Sequence, residues 1–279
     1  MKITIASGKG GTGKTTIATN LATFLAESAR VVLTDLDVEE PNSGLFMELS
    51  PISKQDCFKS IPEWNQSACT LCGKCQTLCV FNAILRLGEQ ILVFKELCHS
   101  CFACSELCQA GALPMQKLKM GEISHYSSGK LSFVEGRLEI GQEQAVPLIA
   151  STLGYVNKHF DNSFMKIYDA PPGTSCPVIK ACSEADLVIL VTEPSPFGLH
   201  DLKLAVATLR EMDKELVVVI NRAGAVYEDL DLYCQDEKLS VVARFPNDRA
   251  IAEYYSQGHL IYPYHAGFMD QLQALASYV

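Results

Sequence analysis

The chain has 279 residues, 48% of them hydrophobic, which is enough for one large α/β domain or two modest ones and excludes wholesale disorder. Its formal net charge of −9 argues against broad nucleic-acid binding and against attraction to an anionic membrane, since both rely on basic surface. Residues 2–7 read as a buried strand that enters a glycine-rich loop at once, so no signal peptide is expected. No run reaches the length of a membrane helix, and "HAGFMDQLQALASYV" at the C-terminus carries no Lys or Arg, so no membrane anchor is expected and the cytoplasm is the expected compartment.

After the loop, "KTTIATNLATFLAES" has helical apolar spacing, and "RVVLTDLD" is a second strand ending in acidic residues. From about Pro51 the pattern breaks and a cysteine-rich segment follows, with "PMQKLKMG" as its exit. "KLSFVEGRLEI" reads as two short strands about a turn at Glu135-Gly136. "QAVPLIASTLGYVNKHF" is helical apart from Pro147, "FMKIYDAPPG" and "ADLVILVTEP" are strands, and "GLHDLKLAVATLREM" places Leu199, Leu202, Val206 and Leu209 on one helical face. "ELVVVINRAG" and "VVARFP" are strands, and "DRAIAEYYSQG" is a closing helix. Apolar strands alternating with helices indicate a mostly parallel sheet covered on both faces. The expected division is an α/β domain over 1–56 and 119–279, with a small inserted domain over 57–118.

Gly8, Gly13, Lys14 and Thr15 fit G-x-x-x-x-G-K-[ST] between a strand and a helix, the context of a phosphate-binding loop. Glycines let backbone N–H groups of Gly8 to Thr16 turn toward phosphate oxygens; Lys14 reaches the β- and γ-phosphates, and the Thr15 hydroxyl suits Mg²⁺. Lys9 stands early in "KGGTGKTT". With Gly10, Gly11 and Thr12 completing it, the loop resembles the deviant phosphate loop (Walker A) of the MinD, ParA and nitrogenase iron protein superfamily. The resemblance implies an α/β P-loop NTPase that hydrolyses ATP slowly with Mg²⁺, as a homodimer whose Lys9 crosses to the partner's nucleotide. It further implies that Asp37 positions the attacking water, that Asp35 supports the magnesium shell, and that Asp169, before Pro-Pro-Gly, is the magnesium-side acid. Asn221, with Arg222 beside it, matches the Asn that reads adenine, and "FPNDRAIAEYYSQG", which contains Pro246, resembles the segment that closes over the base.

Eight of the twelve cysteines form two C-x₂-C-x₂-C-x₃-C runs, the second repeating the first 29 residues on, from Cys69 to Cys98. This is the two-cluster bacterial ferredoxin signature, in which three thiolates wrap one cube and the fourth ligates the other. Cys69, Cys72, Cys75 and Cys108 are therefore expected on one 4Fe–4S cluster, and Cys98, Cys101, Cys104 and Cys79 on the second. Zinc is the alternative, because it also takes four thiolates. Val80 and Gln109 stand where the ferredoxin pattern has Pro, which bears on cluster potential. His99 reads as a solvated or capping residue rather than a ligand. Cys176, after the second switch, reads as a buried small residue or as a redox sensor at a dimer face.

The whole chain thus resembles MinD-superfamily ATPases carrying an inserted ferredoxin domain. It lacks the basic C-terminal helix of the cell-division protein and the C-terminal C-x-x-C pair of the Mrp-type carriers. Three functions fit: ATP-gated electron transfer to a redox partner, assembly or delivery of iron–sulfur clusters to a partner, and nucleotide-switched positioning.

Overall fold

A computed structural model of the chain describes residues 1–224 and 226–279. The chain begins with β1 (Lys2–Ala6), α1 (Lys14–Ala26) and β2 (Val31–Asp35), then a 3-10 turn at Ser43–Phe46. There follow β3 (Ser50–Pro62), α2 (Lys74–Leu78), β4 (Ile84–Leu87), β5 (Gln90–Val93), α3 (Ala103–Glu106), β6 (Met115–Ser128) and β7 (Leu131–Leu138). The remainder is α4 (Ala145–His159), β8 (Met165–Asp169), α5 (Cys176–Cys182), β9 (Leu187–Thr192), α6 (Pro196–Arg210) and β10 (Glu215–Ala223). It ends with α7 (Glu228–Asp236), β11 (Ser240–Pro246), α8 (Arg249–Ser256) and α9 (Ala266–Tyr278).

Nine strands share one sheet in the order β11-β10-β9-β1-β8-β2-β7-β6-β3. β1 pairs in parallel with β8 and β9, β2 with β8 and β7, and β10 with β9 and β11. Parallel neighbours need helical crossovers, so both faces are covered and the strands are apolar throughout. Ile17, Ala18, Leu21 and Ala22 of α1 join Ile3, Ile5, Leu33, Ile167 and Ile189 in the main core. Burial of each large aliphatic side chain there is worth roughly 1.5–3 kcal/mol. Leu199, Leu202, Val206 and Leu209 are buried on α6, as their helical spacing requires. Phe268, Leu272 and Leu275 of α9 are also in the core, which accounts for that helix without a membrane. Among the described residues, no helix is long and apolar enough to cross one.

The chain divides into two compact units. The first holds Met1–Gln55, Ile123–Arg137 and Ala145–Val279; the second holds Asp56–Glu122 and Leu138–Gln144. The second is wider than the 57–118 read from cysteine density, for a chemical reason. Lys119 forms ion pairs with Asp56 at 2.9 Å and Glu139 at 2.8 Å, tying the entry and return segments together beyond the cysteines. Within this unit β4 and β5 form an antiparallel hairpin, and two small apolar clusters form around Ile84, Ile91, Cys104 and Leu113 and around Ile61, Ala83 and Cys98.

Three sequence expectations are corrected. The segment from about Pro51, where the pattern breaks, belongs to the long strand β3, whose first residues are exposed and mostly polar and so lack an apolar signature. The exit "PMQKLKMG" is the start of β6. Glu135-Gly136 is not a turn: both lie inside β7, and the reversal falls at Gly129-Lys130, between β6 and β7. Gly136 is required by close approach instead. A Cβ there would stand 2.5 Å from Thr152 Oγ1 on α4 and 2.9 Å from Val38 Cγ1. Gly136→Ala is therefore expected to lower the unfolding free energy by about 1–3 kcal/mol in a denaturant titration. An unchanged midpoint would show that α4 can retreat freely.

Candidate functional site

The phosphate loop leaves β1 at its C-terminal end, beside the ends of β8 and β2, where open α/β sheets bind ligands. Gly13 has φ +92°, and a Cβ on it would lie 2.2 Å from Asn221 Nδ2. The glycine thus admits both the left-handed turn into α1 and the Asn221 side chain, which donates to the Thr12 carbonyl at 2.8 Å. In this structure Asn221 stitches β10 to the loop. The Ser7 hydroxyl donates to the Lys9 carbonyl at 2.6 Å, and the Gly173 N–H donates to the Ser7 carbonyl at 3.1 Å, which tethers the Pro-Pro-Gly turn to the loop.

Asp35 and Asp169 face each other across the β2–β8 pairing, both fully buried. The Asp35 carboxylate accepts the N–H groups of Asp37 (3.0 Å), Asn42 (3.0 Å) and Ser43 (2.9 Å), so it pins the segment after β2. Ser43 Oγ donates to Asp169 Oδ2 at 3.1 Å, while Asp169 Oδ1 is buried with no hydrogen-bond partner. Burial drives Asp35 above the ordinary carboxylate range, opposed by those N–H bonds. Burial and then the Asp35 charge raise Asp169, opposed by Lys14, Thr15 and Ser43. Asp37 is raised to about 6 by burial and the Asp35 charge, with the Lys14 ammonium opposing. Two carboxylates in a dry site call for cations, and Lys14, itself buried, is one. The orphaned Asp169 Oδ1, near the Thr15 hydroxyl, fits the oxygen-rich shell of a hard divalent ion. Asp37 opens on a cleft lined by Glu39, Pro171, Pro172 and Ser175.

Lys9 turns away from these acids and pairs with Glu193 at 2.5 Å, and Arg222 pairs with the other Glu193 oxygen at 3.1 Å. Burial pushes Glu193 up, but the two cations hold it below its ordinary value. Arg222 has φ +53°, and Pro246 closes β11 in register with Ala223. The sequence reading missed Ser43 and Glu193. Each stands beside a residue it did single out, at the end of "DVEEPNS" and of "LVILVTE", and neither carries a motif of its own.

In the second unit the 29-residue repeat is built into the backbone. Leu71 and Ser100, Gly73 and Phe102, and Asn82 and Gly111 are matching pairs, and all six have positive φ. α2 and α3 begin at matching positions. The Ala83 N–H reaches Cys79 Sγ and the Ala112 N–H reaches Cys108 Sγ, both at 3.3 Å. Cys69, Cys72, Cys75 and Cys108 line one cavity of about 250 Å³, with Cys104 also on its border. Cys79, Cys98, Cys101 and Cys104 line a second, tighter cavity. Burial and then Cys98, Cys101 and Cys79 push Cys104 up to about 11, as thiols crowded into one site do. Among the described residues, no group of three or more His, Cys, Asp or Glu side chains converges tightly enough for a single metal ion. His99 lies flat on Phe81 with ring centroids 3.8 Å apart, which accounts for it without ligation. Cys182 is buried and its thiol is pushed up to about 12 by burial, whereas Cys176 is exposed at the start of α5.

The acids generate a stability prediction. Asp169 has a raised value in the fold, so its protonated form contributes stability below the unfolded value of about 4, and that contribution is lost as pH rises through the folded value. Without metal or nucleotide, Asp169→Asn is expected to be more stable than the parent at about pH 8, by on the order of 2 kcal/mol, with the gain vanishing near pH 4. Urea titrations in EDTA at the two pH values check this; a gain independent of pH contradicts it.

A model of the CobQ/CobB/MinD/ParA nucleotide-binding domain, CbiA, matches residues 3–261. The chain is similar to the uncharacterized protein MJ0579 of Methanocaldococcus jannaschii, at 26% identity over 284 residues, covering 100% of this chain and 97% of that one. It is also similar to MJ0578 of the same organism, at 31% identity over 225 residues, covering 80% and 79%. Among solved structures, the septum site-determining protein MinD of Pyrococcus horikoshii, complexed with Mg-ADP, superimposes with TM-score 0.59. That match has 19% identity and covers 99% of this chain and 94% of that one, a likeness of fold. With the loop, the two strand-end acids and the parallel sheet, the match over 3–261 places the chain in the CbiA family, as a MinD/ParA-like nucleotide-binding ATPase.

Proposed function

We propose that the protein is a slowly hydrolysing, MgATP-dependent homodimer that couples nucleotide state to two 4Fe–4S clusters and so gates electron transfer to a partner protein. The observation that supports this most is the sharing of cavities by the cysteines. The set 69, 72, 75 and 108 and the set 98, 101, 104 and 79 each line one space, in the crossed pairing that two cubes require. The small apolar clusters of this unit are a further argument, because small cores need staples.

When bound, the clusters supply one-electron chemistry at potentials set by hydrogen bonds and burial. The chain's own residues do the rest. The N–H groups of Leu71, Ala83 and Ala112 point at Cys69, Cys79 and Cys108 and stabilise thiolate charge. Lys14 would neutralise phosphate charge, while Thr15 and Asp169 Oδ1 would hold magnesium. Asp37 would orient water, and Asp35 would keep Asp37 in place through its N–H bond. Lys9 must leave Glu193 before it can serve a partner's nucleotide, so the ion pair resists premature closure.

A second reading, nucleotide-switched positioning, is favoured by the likeness to the septum site-determining MinD. Cluster delivery is disfavoured, because four thiols per cavity leave no labile position.

Anaerobically prepared protein is expected to hold about eight iron and eight sulfide per chain. Once reduced, it is expected to pass electrons to a one-electron acceptor faster with MgATP than with MgADP. Zinc in place of iron, or equal rates, would contradict the proposal. Lys9→Ala is expected to reduce hydrolysis at least about a hundredfold while nucleotide still binds, judged by equilibrium dialysis. Undiminished turnover would remove Lys9 from the chemistry.

A further inference from the structure

Lys59 lies on β3 within the cysteine-bearing unit and is 6% exposed, unusual for a lysine. Its Nζ donates to the Lys95 carbonyl at 3.1 Å. The same carbonyl accepts the Cys98 N–H at 3.3 Å, so the ammonium sits against the loop that carries the second thiol set. That loop is fixed from other sides: Ser100 Oγ donates to the Ser60 carbonyl at 2.6 Å, and Gln144 Nε2 donates to the carbonyls of Glu96 (3.2 Å) and Cys98 (3.1 Å). Burial pulls Lys59 below the ordinary lysine range, while the negative charges of Cys98 and Glu96 hold it up.

The repeat supplies an internal comparison. Twenty-nine residues earlier, Gln66 takes the place of Lys95, and its carbonyl accepts the Cys69 N–H at 3.2 Å. The cations near the first set are Lys74, beside Cys72, and Arg86, which donates to the Leu71 carbonyl. Both are exposed, so water screens them. The two thiol sets therefore share a backbone geometry but differ in one buried charge.

We infer that Lys59 is a potential-setting residue: its buried ammonium makes the second thiol set, Cys79, Cys98, Cys101 and Cys104, the easier of the two to reduce. This rests on the iron–sulfur reading above. Adding one electron from a low-potential donor raises the negative charge at either set by one. Beside Lys59 that added charge meets an unscreened cation, whereas at the first set it meets solvated ones. Lys59 touches no reacting atom in this scheme and acts only through the field it imposes.

The test is potentiometric EPR on the anaerobic holoprotein, with dithionite as reductant. Cys101→Ser identifies the second set, because exchange of an exposed thiolate ligand for an alkoxide alters that set's signal. Lys59→Gln is expected to lower the reduced-to-oxidised ratio of the second set about tenfold at fixed potential, a shift of about 59 mV for one electron, and to leave the first set in place. In the parent, the set whose signal Cys101→Ser alters is expected to be the one reduced at the higher potential, which gives the answer if Lys59→Gln fails to assemble. A parent in which the first set is reduced first, an equal shift of both sets, a shift of the first alone, or a second set indifferent to Lys59→Gln would overturn the inference while leaving the clusters established. A parent protein without iron would overturn the iron–sulfur reading itself.

Discussion

Two carboxylates buried side by side at the ends of neighbouring parallel strands are the constraint on which this structure turns. Asp35 and Asp169 cannot both carry charge in a dry site without compensation. Compensation comes from different directions. Asp35 is satisfied by three backbone N–H groups, which fixes the path of residues 37–43. Asp169 keeps one oxygen free and depends on Lys14 and on whatever cation enters beside Thr15. The loop, the helix that carries Lys14 and the segment that carries Asp37 are thereby referred to one pair of acids. A change in what occupies the site is felt by all three.

The second unit solves a related problem with sulfur. Eight thiols in two cavities would be a poor core, since crowding and burial resist their ionisation and their apolar surroundings are thin. Backbone N–H groups aimed at Cys69, Cys79 and Cys108, together with left-handed residues at matching positions of both runs, arrange donors around the thiols before anything is bound. Leu71, Ser100 and Phe102 adopt that conformation without being glycine, a local cost that ligand binding would offset.

Much of this was legible in the sequence, because its motifs combine spacing with context. Lys14 and Thr15 had to follow a strand and open a helix, and they do so between β1 and α1, while the 29-residue cysteine repeat reappears as matching left-handed positions. The misreadings have a physical origin. Gly136 was read as a turn because glycine serves both reversal and close approach, and only the position of α4 separates the two. β3 was missed because its outer residues are exposed on both faces and mostly polar, so they lack the period of a half-buried strand. The roles of Ser43, Glu193 and Lys59 depend on partners far along the chain, Asp169, Lys9 and the Cys98 loop, and no local pattern marks them.

The central claim is that nucleotide state and cluster state are coupled in one chain. The most direct measurement is the midpoint potential of each cluster, followed by EPR in anaerobic protein saturated with MgATP and, separately, with MgADP. The account predicts that at least one cluster shifts its potential between the two nucleotides. Superimposable titrations would contradict it and would confine the ATPase to docking or positioning.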